Sequence, residues 1–105
     1  MNTADLQANA RRASALLKAM ANERRLMILC HLASGEKSVG EIEALVGLSQ
    51  SALSQHLAVL RADGLVTTRR EGQAIHYAIG DPAVATLMAT LAAIFCPDDV
   101  EVSHD

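Results

Sequence analysis

Residues 48–66, LSQSALSQHLAVLRADGLV, concentrate polar side chains of the types that hydrogen-bond to the edges of nucleic-acid bases. Leu53, Leu57 and Leu60 recur at helical spacing and predict one buried stripe on an amphipathic helix. On the outward face, glutamine can bond adenine through two hydrogen bonds, and serine can bond several bases. The segment therefore predicts a recognition helix for double-stranded DNA, with candidate contacts at Ser49, Gln50, Ser51, Ser54, Gln55, His56 and Arg61.

Two cysteines, Cys30 and Cys96, supply the other side chains with distinctive chemistry. They lie far apart in the chain, so they form neither a CxxC motif nor the disulfide scaffold of a small secreted domain. Two thiols can act as a redox switch, in which one thiolate attacks a sulfur electrophile and the other resolves the product. Free cysteines are also common as small buried apolar residues. The two residues by themselves leave both roles open.

Hydrophobic periodicity and capping signals predict the elements that position these residues. The second helix is expected to be mostly buried, Cys30 included, because apolar residues occupy most of its positions. The predicted elements are helices at 4–20, 23–34, 39–46 and 50–62, strands at 65–70 and 74–79, and a last helix from 82 to about 95 or 96. Residues predicted to cap the second to fifth helices are Asn22, Ser38 (in a capping box with Glu41), Ser49 and Asp81.

The third and fourth helices are joined by three residues, 47–49, which fits a helix-turn-helix, and the hairpin that follows makes it a winged helix. The predicted fold class is therefore mainly α, a winged helix-turn-helix. In this fold the start of the second helix of the motif enters the major groove. Further contacts with the DNA backbone or minor groove are expected at the start of the third helix and on the hairpin, or wing, from Ser38, Arg69, Arg70 and Gln73.

The composition predicts one small domain with an aliphatic core, because the 105 residues include one Tyr, one Phe and no Trp. A domain of this size often gains stability by dimerising. The net charge of −3 disfavours DNA binding, but four of the acidic residues lie in the last eight positions. We therefore predict a DNA-binding and dimerisation domain at 1–97 and an acidic, disordered tail at 98–105.

No apolar run reaches the ~20 residues needed to span a bilayer. The first twelve residues also lack the apolar core of a secretory signal. We therefore expect a cytoplasmic protein with no membrane partner.

Three segments, MANERRLMILCHL, LSQSALSQHLAVLRADGLV and EGQAIHYAI, resemble the ArsR/SmtB family of bacterial repressors, and the match spans nearly the whole chain outside the tail. The resemblance implies a homodimer whose interface is formed by the first and fifth helices. It also implies that the protein occupies a promoter until an inducer lowers its affinity. Two recognition helices related by a twofold axis predict an inverted-repeat operator, with half-sites about one helical turn apart.

Many members of this family sense metals, but the familiar metal positions are not matched here. Ser38 and Gly40 stand where the arsenic-type site has cysteines. Asp81 matches the first ligand of the zinc-type site in the last helix, but zinc needs at least three protein ligands, and the other positions hold Ala83, Ile94 and Pro97. We predict no metal and no cofactor. An unfamiliar metal site stays open as an alternative, with Cys30, His31, Cys96 and His104 as its possible ligands.

The positions of Cys30 and Cys96 resemble the sensor pair of the sulfide- and persulfide-responsive branch of the family, the BigR/SqrR/HlyU group, and LLKAMANERRLMILC and IFC carry the match. This resemblance implies a transcriptional regulator, not an enzyme, that binds its operator when reduced. Reactive sulfur species would release it by bridging the cysteines through a disulfide or tetrasulfide. A winged-helix module that binds proteins remains the other alternative. Whether the regulator represses or activates transcription stays open.

Overall fold

The computed structural model describes residues 2–96, in which five helices pack around a three-stranded sheet. The predicted winged helix-turn-helix is confirmed, with α3 and α4 as the helix pair and the β2–β3 hairpin as the wing. The predicted tail at 98–105 lies outside the described residues. The elements, in chain order, are α1 (Thr3–Met20), α2 (Glu23–Leu32), β1 (Lys37–Ser38), α3 (Val39–Val46), α4 (Gln50–Ala62), β2 (Val66–Glu71), β3 (Ala74–Ile79) and α5 (Pro82–Phe95).

Side-chain caps start the helices at the residues that the sequence predicted. The Asn22 carboxamide oxygen accepts hydrogen bonds from two backbone N–H groups in the first turn of α2, at 2.9 and 3.1 Å. Ser38 and Glu41 form a complete capping box at the start of α3. The side-chain oxygens of Ser49 and Asp81 each accept one backbone hydrogen bond in the first turn of α4 and α5. Each cap satisfies N–H groups that a helix leaves without an internal partner.

The sheet contains one strand that the sequence analysis missed. β1 is only two residues long, too short for an alternating pattern, and it pairs antiparallel with β3 in the order β1-β3-β2. The wing turn is also tighter than predicted, because Glu71 still pairs with Ala74. β2 begins at Val66 and not at Leu65, since the Leu65 N–H closes the end of α4 by donating to the carbonyl of Leu60.

The core is aliphatic and lies between α2, α3, α4 and the first part of α5. The buried residues of this core, in chain order, are Ala19, Met20, Ile28, Leu29, Leu32, Ile42, Val46, Leu53, Leu57, Leu60, Leu65, Val66, Val84 and Met88.

Among the described residues, no helix has the length and apolar character that a membrane span requires.

The prediction that α2 runs to residue 34 and buries Cys30 is wrong. α2 ends at Leu32, and Cys30 is exposed. The reason is the 100° step of the helix, which gathers Ile28, Leu29 and Leu32 into one inward stripe and turns Cys30 to the opposite side. An apolar run in the sequence therefore overstated how much of the helix is covered.

Candidate nucleic-acid interface and cysteine pair

α4 presents a polar surface on the side opposite its buried leucines. Leu53 is fully buried, as is Leu60, and they fix the helix on the core. Because each residue advances 100° around the helix, Ser51 and Gln55 lie directly opposite this stripe. The predicted base contacts in the first half of α4 are all exposed: Gln50, Ser51, Ser54 and Gln55.

Two predicted contacts on α4 differ from those four. His56 is half-buried and lies on the flank of the helix that faces away from Ser54. Ser49 is exposed, but its hydroxyl oxygen accepts a hydrogen bond from the backbone N–H of Ala52 at 3.2 Å, so this oxygen serves the helix cap. The structure therefore gathers Ser51, Ser54 and Gln55 on one surface, whereas Gln50 is exposed in the first turn on the side nearer the buried leucines, and His56 lies on the far flank.

A cleft of about 590 Å³ separates α4 from the wing. Ser54 and Arg61 line its α4 side, and Ile75 and Tyr77 of β3 line the opposite side. No Asp or Glu lines the cleft, so Arg61 sets its charge and makes it favourable for an anion. The sequence does not mark Tyr77 as part of this surface, because a lone tyrosine in a strand carries no signal for its neighbours on another element.

The two wing arginines have different surroundings. Arg70 and Gln73 are both exposed, and Arg70 forms no ion pair with another described residue. Arg69 donates two hydrogen bonds to the carboxylate of Glu36, at 2.6 Å from Nη2 and 3.1 Å from Nε. These bonds hold the pKa of Glu36 below its usual value. The guanidinium of Arg69 is therefore already paired with a carboxylate of its own chain, at the surface.

Ser38 is likewise engaged. Its hydroxyl oxygen accepts from the Glu41 N–H at 3.1 Å, and its own backbone N–H donates to the Glu41 carboxylate at 2.8 Å. The hydrogen bond from this N–H, and after it the Ser38 side chain, hold the pKa of Glu41 below its usual value. The backbone donor that made Ser38 a candidate for phosphate binding is thus used by the capping box.

Both cysteines are free thiols, and both are exposed. Cys30 lies in a groove of about 620 Å³ between α2, the end of β3 and α5. The α5 wall of this groove is built from small residues, among them Ala85, Ala89 and Ala92. Cys96 follows Ala92 by four residues and donates its backbone N–H to the Ala92 carbonyl at 2.8 Å, so it ends the same face of α5. The groove therefore leads from Cys30 toward the end of α5 that carries Cys96.

Within residues 2–96, no group of three or more His, Cys, Asp or Glu side chains is arranged to hold a metal ion. His104, a possible metal ligand in the sequence, lies outside the described residues. The lining of the Cys30 groove contains two acidic residues, Glu36 and Asp81, and no basic one.

A helix-turn-helix with a polar, exposed second helix and an adjacent wing defines a winged-helix DNA-binding protein. Residues 22–68 match the family described as bacterial regulatory protein, arsR family. The chain belongs to this family and is a transcription regulator.

Its relatives include regulators of both signs. The chain is 51% identical over 96 residues to the transcriptional activator HlyU of Vibrio cholerae, covering 91% of this chain and 89% of HlyU. It is 51% identical over 81 residues to the biofilm growth-associated repressor of Agrobacterium fabrum, covering 77% of this chain and 69% of that protein. Similarity to the relatives therefore identifies a regulator without deciding between activation and repression.

Solved structures of relatives share the fold. The structure of reduced HlyU from Vibrio cholerae superposes with a TM-score of 0.85 at 51% identity, covering 88% of this chain and 97% of that one. The solution structure of the homodimeric winged helix-turn-helix domain of Mb0332 from Mycobacterium bovis gives a TM-score of 0.77 at 34% identity and covers 99% and 94%.

Proposed function

We propose that this ArsR-family regulator binds an inverted-repeat operator as a homodimer when Cys30 and Cys96 are reduced, and that reactive sulfur species release it by bridging the two thiols. The observation that carries the proposal is the exposed Cys30 in a groove whose α5 wall runs to Ala92, one helical turn before the exposed Cys96. An exposed thiol can meet a small sulfur compound, whereas a buried one is inert.

For the DNA complex, we assign base contacts to Gln50, Ser51, Ser54 and Gln55, which are all exposed in the first half of α4. Arg61 and Arg70 would bind phosphates, and Gln73 would contact the flanking DNA from the wing. His56 and the capped Ser38 and Ser49 are secondary contacts at most, because each is partly buried or already hydrogen-bonded.

Apolar residues on the first and last helices support a homodimer. Leu6 and Leu17 of α1 are 59% and 53% exposed, and Ile94 and Phe95 at the end of α5 are 61% and 76% exposed. Large apolar side chains on two helices at this level of exposure favour burial against another protein surface. A second copy of the chain is the partner of choice, since the related Mb0332 domain is homodimeric.

The proposed sulfur chemistry proceeds by thiol exchange. A cysteine thiolate attacks the sulfane sulfur of a low-molecular-weight persulfide, a thiol leaves, and a protein persulfide forms. Attack of the second thiolate on the inner sulfur of this persulfide then forms a disulfide and releases hydrosulfide. When the protein persulfide first takes a sulfane sulfur from another persulfide molecule, with release of a second thiol, it becomes a trisulfide anion. Attack of the other cysteine thiolate on its penultimate sulfur then forms a longer bridge and again releases hydrosulfide. A disulfide needs Cα atoms within about 7 Å, so a longer sulfur chain suits a wider gap.

A bridge would tie α2 to the end of α5, which belongs to the proposed dimer interface. The two recognition helices would then change their spacing and lose register with the operator. To change promoter occupancy, the bridged state must favour the low-affinity arrangement by a few kcal/mol.

The test begins with DNA selected from a random duplex pool by the reduced protein. Affinity is measured by fluorescence anisotropy before and after treatment with an alkyl persulfide, hydrogen peroxide or Zn²⁺, and the peptides that contain the cysteines are weighed by mass spectrometry. We expect the persulfide to weaken binding at least tenfold and to join the Cys30 and Cys96 peptides through a disulfide or a longer sulfur chain.

Cys30→Ser and Cys96→Ser should keep DNA binding and lose the response. The matched control is Ala33→Ser, a similar small change in the lining of the same groove, which should respond like the unchanged protein. A full response in either cysteine variant contradicts the proposal. Release by Zn²⁺ alone favours the metal-responsive alternative, and the absence of binding under every condition favours a protein-interaction module.

A further inference from the structure

The two neighbouring wing arginines lie on opposite faces of the sheet. Successive residues of a strand alternate between faces, and residues directly opposite one another share a face. Arg70 is opposite Ile75, which lines the cleft next to α4. Arg69 is opposite His76, on the outer face. The register therefore directs Arg70 toward the side of the recognition helix and Arg69 away from it.

On the outer face, Arg69 is the centre of a charged cluster. It forms the two hydrogen bonds to Glu36 and lies 3.4 Å from the Glu71 carboxylate. His76 Nε2 is 3.5 Å from the other oxygen of Glu71. A guanidinium that meets a carboxylate through two parallel bonds has a defined orientation, which an isolated surface charge lacks.

The Glu36–Arg69 pair joins the two edges of the sheet. Glu36 immediately precedes β1, whereas Arg69 belongs to β2, and β3 lies between these strands. Neighbouring strands are about 4.8 Å apart, so the two long side chains meet over β3. Because β1 leads directly into α3, the pair attaches the wing to the start of the helix-turn-helix.

We propose that Arg69 positions the wing and does not contact DNA, and that Arg70 supplies the arginine contact of the wing with phosphate. This inference rests on the proposed DNA binding. It separates two adjacent residues that the sequence treats as equivalent. The Glu36 carboxylate would hold β2 at the angle from which Arg70 reaches the DNA strand that, in the proposed complex, runs past the cleft between α4 and the wing.

The first experiment compares salt dependence. In the homodimer, Arg70→Gln removes two phosphate contacts. The slope of log K against log salt is negative, and its magnitude should decrease by about 2. Arg69→Gln should weaken binding about fivefold and leave this slope unchanged, since an exposed ion pair contributes modestly. Arg24→Gln, which removes an exposed charge from α2, is the matched control and should change neither quantity appreciably. A slope that falls equally in the Arg69 and Arg70 variants overturns the proposal.

The second experiment is a double-mutant cycle. Glu36→Gln should weaken DNA binding about as much as Arg69→Gln does, and the double variant should lose no more than either single variant. If Arg69 contacted DNA, removal of the nearby negative charge of Glu36 would leave binding unchanged or strengthen it, and the effects would add. Either of those results contradicts the positioning role.

Hydrogen exchange tests the positioning role without DNA. Amides of β2 should exchange faster in Glu36→Gln and Arg69→Gln than in Arg70→Gln, because only the first two variants release the edge of the sheet. Equal exchange in all three variants overturns the proposal. Failure of the unchanged protein to bind any DNA would overturn the proposed function, and the exchange result would still decide whether the pair holds the wing.

Discussion

Gln55 is the residue of α4 that we propose as its main base contact. It lies directly opposite the buried leucine stripe and is exposed, and Ser51 is its neighbour one turn earlier. Arg61, by contrast, lines the cleft beside the wing, where a sugar-phosphate strand would run. The two side chains should therefore make different kinds of contact, one that depends on sequence and one that does not.

Replacement of Gln55 by alanine tests this assignment. Gln55→Ala should weaken binding to the selected operator by about 1–3 kcal/mol and leave binding to unrelated duplex DNA nearly unchanged, because a bidentate base contact carries discrimination. The measurement is a pair of titrations at one salt concentration. Arg61→Gln is the comparison variant and should weaken both complexes by a similar factor. Equal losses for Gln55→Ala in the two titrations would refute its base contact.

At the scale of elements, two glycines show how local geometry and tertiary contacts differ. Gly80 joins β3 to α5, and a Cβ atom built there would lie 2.5 Å from the Thr67 methyl group and 3.3 Å from its backbone nitrogen. Gly40 lies in the first turn of α3, where the nearest atom to a new Cβ is 4.0 Å away. Gly80 therefore permits a close approach between β2 and the segment that joins β3 to α5, whereas Gly40 has no such constraint.

Alanine at these two positions should have opposite effects on stability. Gly80→Ala should lower the free energy of unfolding by about 1–3 kcal/mol, because the extra methyl group forces the Thr67 strand to shift. Gly40→Ala should raise it by about 0.5–1 kcal/mol, since alanine is the better helix former and has room. Urea denaturation of both variants checks this pair. A stabilised Gly80→Ala protein would show that the chain relaxes around the new methyl group without cost.

At the scale of the whole molecule, the exposed apolar residues of α1 and α5 are the most direct sign of a partner. The core of one small chain is aliphatic, and no aromatic side chain among the described residues is fully buried, so a single protomer has limited hydrophobic stabilisation. Burial of Phe95 and its neighbours against a second copy would add to it. Two recognition helices on one rigid dimer would also link the proposed bridge at α5 to the spacing of the DNA contacts.

A charge placed in this surface should separate the protomers. Leu17→Glu is expected to give a monomer by analytical ultracentrifugation at micromolar concentration and to weaken operator binding at least a hundredfold, because the two half-sites are then bound independently. Leu45→Glu is the matched control, since Leu45 is 48% exposed on α3, outside α1 and α5. This control should leave the sedimentation unchanged. A dimeric Leu17→Glu protein would place the interface elsewhere.

Much of the fold was predictable because its signals are local. N-cap side chains act within three residues, and the leucines of α4 repeat within a few turns, so the bounds of α3 and α4 follow from short stretches of sequence. The two-residue β1 and the early end of α2 were not predictable. β1 depends on pairing with His76 and Tyr77, which lie elsewhere in the chain. α2 ends in turn hydrogen bonds, such as the one from the Gly35 N–H to the Leu32 carbonyl, which the pattern of apolar residues does not reveal.

The sequence alone determined that α4 carries glutamine and serine on one exposed face, that a wing follows it, and that the two thiols are the distinctive reactive groups. Only the tertiary structure decided how Arg69 and Arg70 differ and what surrounds Cys30. Glu36 and Arg69 are separated by 33 residues, and no periodicity or motif connects them. The strand register brings them together over β3, because alternation turns one arginine of the pair toward Glu36 and the other toward the recognition helix.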